Sequence, residues 1–184
     1  MRTNPERRTA LIDGAIEVLA AEGARGLTFR AVDTAAGVPN GTASNYFANR
    51  DDLLTQAGLR IHDRLGPDAA DLDQPPSAEF LTALAQLLRH RLAADRTGYL
   101  ALLELRLEAT RRPALQQALT ERVRANLVET IRLHQSHGLP GDPLLLYFAV
   151  GGLMLEHLTL PAVLPEQADQ LLDRVVRALL QPGH

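Results

Sequence analysis

The sequence predicts an all-α protein of about nine helices, with a small three-helix domain at the N-terminus and a larger helical bundle behind it. Three observations carry this expectation. Wherever apolar residues show a period, they recur at spacings of three and four. No alternating apolar and polar run marks a strand, and no internal repeat is present. Each periodic stretch ends at a Gly or Pro signal.

In chain order, Leu11, Ile12, Ala15, Ile16 and Leu19 form the apolar face of a first helix. Asn4 or Thr3 is placed to cap it, Pro5 sits in its first turn, and Glu22-Gly23 ends it. Thr28 caps a short second helix with Phe29, Val32, Ala35 and Ala36 on its apolar side, and Gly37 provides a left-handed stop. A polar segment from Pro39 to Phe47 follows at once, expected as a third helix. Asn49 then opens a fourth, with Asp52 three residues on in a capping-box relation and Asp51 favouring the positive helix end.

Gly66-Pro67 and the stretch Asp71 to Ser77, with Pro75-Pro76, form the clearest loop. Behind it, Phe80, Leu81, Leu84, Leu87, Leu88 and Leu92 make one helical stripe and Tyr99 to Ala109 another. Leu115, Leu119, Val123, Leu127 and Ile131 make a third, closed by Gly138 and Pro140. Asp142-Pro143 starts a nearly all-apolar helix. Pro165 starts a last one bearing Leu171, Leu172, Val175, Val176 and Leu179. The boundary between the two lobes falls between Phe47 and the Pro75-Pro76 loop.

Composition narrows the function classes. A chain of 184 residues with 46% hydrophobic and 22% charged residues is long and apolar enough to bury a full core. The absence of cysteine excludes disulfide scaffolds, thiolate metal sites and cysteine nucleophiles. The N-terminal residues show no secretory pattern, so a cytoplasmic location is expected. Leu144 to Leu160 is the most apolar run, but Glu156 and His157 interrupt it and Pro143 and Pro161 bound it, which reads as a buried helix and not a membrane span. A net charge of −3 gives no bulk argument for nucleic acid. Any basic surface must be local, and every basic residue besides histidine is arginine.

Residues 37–54 are the stretch whose residue types point to a task. A glycine turn, a short polar segment ending in Tyr46-Phe47 and a freshly capped helix follow one another, an arrangement that a DNA major groove accepts. Gly23, Leu27-Thr28-Phe29-Arg30, Gly37-Val38, Gly41-Thr42, Tyr46-Phe47, Arg50 and Leu53-Leu54, in this spacing over roughly residues 7 to 54, resemble the tetracycline-repressor-like (TetR/AcrR) family of bacterial transcription regulators.

The resemblance implies a helix-turn-helix DNA-binding domain over residues 1–49 and an effector-binding and dimerisation domain over 50–184. Thr28, Arg30, Asn40, Gly41, Thr42, Ser44, Asn45, Tyr46 and Arg50 are then the expected DNA-contacting residues. Thr28 stands at a helix N-terminus suited to phosphate, with Tyr46 and Arg50 at the far end of the reading segment. Between them Asn40, Thr42, Ser44 and Asn45 suit base edges or bridging water, and Gly41 permits close backbone approach. Each has a plainer reading: Thr28 caps a helix in any protein, and Tyr46 packs over the first helix with its hydroxyl in water. Three positions depart from the family pattern. Pro39 stands where the family has a capping serine, Ser44 where it has a first tyrosine, and Arg50 where it has lysine. Pro39 passes the capping role to Asn40 or delays the helix start.

The resemblance further implies an effector pocket between helices of the larger lobe, for a partly apolar small molecule whose binding releases a palindromic operator. Phe80, Leu84, Tyr99, Leu103, Leu127, Ile131, Tyr147 and Met154 are the residues placed nearest it, ordinary core being the alternative for each. Gly151-Gly152 and the apolar girth of Leu144 to Leu160 call for cover on several sides, met by the last helix and by a second copy of the chain in a two-fold contact. Glu104 and Glu108, one turn apart, suit either a ligand or ion pairs with Arg111 and Arg112.

No cofactor and no metal are expected. Two competing functions remain: a helical metal-dependent hydrolase using His134, His137, Glu156 and His157, and a dimeric protein-interaction module without DNA recognition.

Overall fold

The computed structural model describes residues 4–65, 83, 86, 87, 90, 91, 93–136, 138, 139, 141–163 and 168–180. Its helices are α1 (Pro5–Gly26), α2 (Phe29–Ala35), α3 (Arg50–Leu65), α4 (Arg96–Ala109), α5 (Pro113–Ser136), α6 (Pro143–Thr159) and α7 (Ala168–Leu180), with short 3-10 helices at Ala43–Asn45 and Pro161–Val163. The all-α expectation stands, since no strand occurs among the described residues. The count does not: seven α-helices are present among the described residues where about nine were expected. The segment from Pro39 to Phe47 contains only the 3-10 turn, because Gly41 at φ +89° breaks α-helical geometry in its middle. The stripe residues Phe80, Leu81, Leu84, Leu88 and Leu92 lie outside the described residues, as do Pro140, Pro165 and His137.

The caps explain where the N-terminal helices begin. Asn4 Oδ1 accepts from the Arg7 amide at 3.2 Å and Pro5 occupies the first helical position of α1. Asn49 Oδ1 accepts from the Asp52 amide at 2.9 Å, and the Asp52 carboxylate reaches back to the Ala48 amide at 3.0 Å, a capping box shifted by one residue. α1 bends at Gly23, whose backbone (φ 70°, ψ −177°) is open only to glycine, and one further turn carries it to Gly26.

The chain divides into two compact units, Met1–Leu65 with Arg96–Val123, and Gly66–Asp95 with Arg124–His184. In the first, Leu11, Ile16 and Leu19 of α1 are fully buried against Val32 of α2, Leu53, Leu54 and Ile61 of α3, Leu105 of α4 and Leu115 of α5. Each such side chain contributes roughly 2 kcal/mol by leaving water. Polar fasteners reinforce this core at the far end of α1. Glu104 of α4 accepts from the Ala24 amide at 3.3 Å. Glu108, also on α4, receives Arg112 at 2.6 Å and Arg111 at 3.0 Å, and Arg112 reaches Asp51 of α3 at 2.5 Å. Hydrogen bonds from Arg112 and then Arg111 hold the Glu108 carboxyl below its usual pKa. Of the two readings open for these glutamates, ion pairing is the one seen for Glu108.

In the second unit, α6 and α7 share a core of Val150, Leu172 and Val176, flanked by Leu146, Leu153 and Met154. Beyond this core Leu158 is buried, but much of α6 is open: Phe148 is 69% exposed and Leu145 54%, and Leu144 and Leu155 are exposed too, as is Leu160 just past its end. Side chains at Gly151 and Gly152 would meet nothing within 4 Å. No helix among the described residues is long and apolar enough to cross a membrane.

His62 of α3 is the least comfortable group in the first core. Its Nε2 is buried without a hydrogen-bond partner among the described residues. Burial, followed by the charges of Arg106 and Arg122 and opposed by Asp63, pushes its pKa down to about 4. A histidine depressed in the folded state is stabilising while neutral. Its contribution is complete above the unfolded value near 6.5 and is lost as pH falls toward 4.

Two outcomes follow. Urea titrations at pH 7.5 and at pH 4 are expected to differ by about 2 kcal/mol on account of this ring, allowing for solvent screening, and His62→Leu is expected to flatten that acid limb. Leu105→Ala, which opens a cavity where α4 meets α1, is expected to cost about 3 kcal/mol in the same assay.

Candidate nucleic-acid interface

Thr28 ends the turn after α1 and caps α2, its Oγ1 accepting from the Ala31 amide at 3.1 Å. Arg30 follows on the exposed side of the first turn of α2. α2 stops at Gly37 (φ 64°), where the Val38 amide returns to the Asp33 carbonyl at 3.0 Å. Asn40, Gly41, Ser44 and Asn45 are all exposed, and Thr42 is half-buried. The structure therefore brings the predicted polar residues into one short outward-facing segment directly after α2.

That segment is held from behind by a residue that sequence reasoning passed over. Asp33 of α2 has no exposed surface. Its Oδ2 accepts from the Gly41 amide and its Oδ1 from the Ala43 amide, each at 2.7 Å. Of the two outcomes expected of Pro39, the delayed start is the one seen, the 3-10 turn beginning at Ala43; Asn40 does not cap it, and the Gly41 and Ala43 amides are taken from the preceding helix. An acidic residue within an otherwise apolar helical face was the available signal. The outward side chains fold back on their own backbone. Thr42 Oγ1 donates to the Pro39 carbonyl at 2.5 Å, while Ser44 Oγ and Asn45 Nδ2 both donate to the Gly41 carbonyl at 2.9 Å. What they keep for other partners is hydroxyl lone pairs, the Asn45 carbonyl oxygen and the second hydrogen of the Asn45 amide.

At the end of the segment, Phe47 is buried and Tyr46 half-buried. The Tyr46 hydroxyl accepts from the Asn4 amide at 3.4 Å. Arg8 of α1 donates to the Tyr46 carbonyl at 2.9 Å, and its guanidinium lies 4.9 Å from the Phe47 ring centroid. Arg8 is a second positioning residue missed from sequence. Arg50, expected at phosphate, has protein partners: Nε donates to Leu27 O at 3.1 Å, Nη2 to Ala24 O, and Nη1 lies 3.9 Å from Glu108. It caps carbonyls where α1 ends, sharing that of Ala24 with the Leu27 amide.

The residues expected around an effector divide between the two units. Tyr99 and Leu103 are half-buried on α4, in the first unit. Leu127, Ile131 and Met154 are half-buried and Tyr147 is exposed, all in the second. Phe80 and Leu84 lie outside the described residues. His134 is buried with Nε2 3.2 Å from the Gly141 carbonyl, whereas His157 is exposed. No group of three or more His, Asp or Glu suited to a metal occurs among the described residues.

Residues 11–57 match the family model described as bacterial regulatory proteins of the tetR family, and residues 75–182 match the tetracyclin repressor-like C-terminal domain. Among solved structures, the chain is similar to the multidrug binding protein EbrR complexed with ethidium, at 30% identity and a TM-score of 0.60, covering 94% of this chain and 99% of that one. EbrR complexed with proflavin matches at 31% identity and a TM-score of 0.57, over 92% and 99%. A TetR-family member from Streptomyces coelicolor A3, SCO1917, matches at 30% identity and a TM-score of 0.68, over 93% and 98%. No curated protein sequence matches the chain.

Removing Arg8 should separate packing from surface charge. Arg8→Ala, which loses the carbonyl bond and the ring contact together, is expected to lower unfolding free energy by about 1–2 kcal/mol. The exposed Arg30→Ala should change it by less than about 0.5 kcal/mol, both read from urea midpoints.

Proposed function

The chain belongs to the tetracycline-repressor-like (TetR) family of bacterial regulatory proteins, and from that premise we propose that it is a cytoplasmic repressor which binds a palindromic operator as a homodimer and is released by a small molecule. It acts by binding and not by catalysis. The observation that carries this reading is the exposed polar segment Asn40–Asn45 seated on a rigid core. Phosphate contacts from the amide end of α2, beside Thr28 and Arg30, supply salt-sensitive affinity. Asn40, Thr42, Ser44 and Asn45 supply sequence preference. Tyr46 and Arg50 border the far end, with Arg50 acting first as a clamp on α1.

The functional division falls at residue 49, with reading on 1–49 and effector binding and dimerisation on 50–184. It is not a folding division, since α3 and α4 complete the core under the reading segment. Two supports favour a dimer through α6 and α7. Leu145, Phe148 and Leu155 leave apolar side chains exposed along α6, and Gly151-Gly152 leaves room for close approach. The effector is a partly apolar molecule held near Leu127, Ile131, Tyr147 and Met154 of the second unit. EbrR's complexes with ethidium and proflavin, both planar aromatic cations, make that chemistry the first to try. Such a ligand shifts the two reading heads only as far as it prefers one arrangement over the other.

Selecting bound fragments from genomic DNA with the purified protein tests the reading, and recovery of no salt-sensitive binding would sink it. On a selected operator, Asn40→Ala with Asn45→Ala should lose about 1–3 kcal/mol of binding, at unchanged salt dependence and melting temperature. Phe148→Glu should shift sedimentation from dimer to monomer. Ethidium is to be titrated into protein without DNA, because it also intercalates into duplexes. A saturable fluorescence change is expected, and its absence would exclude this ligand class.

A further inference from the structure

Residue 39 is where a turn beginning at Asn40 would take its own cap, two residues ahead of the Gly41 amide. Proline fills the position and its side chain offers no acceptor. The amides behind it are nonetheless satisfied, by the two oxygens of a carboxylate on another helix: Asp33 to Gly41 and to Ala43, both at 2.7 Å, with the carboxylate wholly removed from solvent. Ionised acceptors at this distance make bonds about twice as strong as neutral ones.

We propose that Asp33 is the positioning residue for base reading, supplying from α2 the cap that Pro39 cannot and thereby setting the orientation of Ser44 and Asn45. The link runs through one residue. Gly41, whose amide Asp33 holds, is also the residue whose carbonyl receives Ser44 Oγ and Asn45 Nδ2. With Gly41 at φ +89° and nothing within 4 Å of where its Cβ would stand, no side-chain packing restrains that point. The carboxylate is what fixes it. Asp33 touches no base, so its influence passes entirely through this geometry.

The inference rests on the DNA-binding reading above, and the variants separate the two. Wild type that selects no DNA sinks the function together with the base-reading role. Hydrogen exchange at the Gly41 and Ala43 amides still tests the cap in that case, and protection equal in wild type and Asp33→Asn would refute it. Where wild type does select an operator, Asp33→Asn, which keeps the shape but turns amide hydrogens toward a backbone donor, is expected to lose about tenfold in operator affinity. Affinity for random DNA, its salt slope and the melting temperature should hold. Operator affinity within twofold of wild type overturns the proposal. So does a parallel fall in operator affinity, random-DNA affinity and melting temperature, which is what a merely structural role produces. The second comparison is Asp33→Ala against the same change with Pro39→Ser, where the new hydroxyl can take the Gly41 amide. Recovery of most of the lost operator affinity, or of folding should the single variant be too unstable to bind, supports a transferred cap. A double variant no better than the single one refutes it.

Discussion

Burial of α1 on several sides at once is the constraint on which the N-terminal unit depends. Leu11, Ile16 and Leu19 have no exposed surface, and α2, α3 and α4 each pack on this one helix. Helices that small could not hold their relative angles by contact with each other alone. α2 has only seven residues, too few for a helix stable by itself, so it exists because α1 gives it an apolar floor. The reading segment inherits its orientation from that floor at second hand.

The polar groups around the end of α1 complete what packing begins. Where α1 bends at Gly23 and ends at Gly26, Arg50 takes the carbonyl of Leu27 and that of Ala24, which the Leu27 amide also reaches at 3.3 Å, with one planar group. A lysine could not divide itself between two carbonyls and a carboxylate in the same way. The outer pairs, Arg112 with Asp51 and Arg111 with Glu108, are partly solvated and contribute little singly. Their effect is to keep Glu108 ionised and α4 aligned beside the start of α3.

Much of this organisation was legible in the sequence because it is written in local chemistry. Asn4, Thr28, Asn49 and Asp142 cap helices where residue type and the following apolar period indicated. What could not be read was what depends on distant partners. Pro39 and Gly41 mark an interruption, but that the amides behind it would be taken by a carboxylate on another helix does not show in the local sequence. Arg50 looks like any motif cation until the carbonyls of Ala24 and Leu27 are located beside it. Likewise α4 shows only an amphipathic period, and nothing in that period says that Leu105 completes the core under the N-terminal helices.

A cap borrowed from another helix also changes when order is acquired. Segments capped by their own residues can sample their native turn in the unfolded chain, and nucleation begins there. The turn around Gly41 has its own side-chain bonds to the Pro39 and Gly41 carbonyls, but for its Gly41 and Ala43 amides it has no local cap, with a proline at the cap position. Those two amides find their acceptor only once α2 is in place and Asp33 has been drawn out of water. A peptide cut from residues 37–49 would lack that carboxylate and would not carry the same shape.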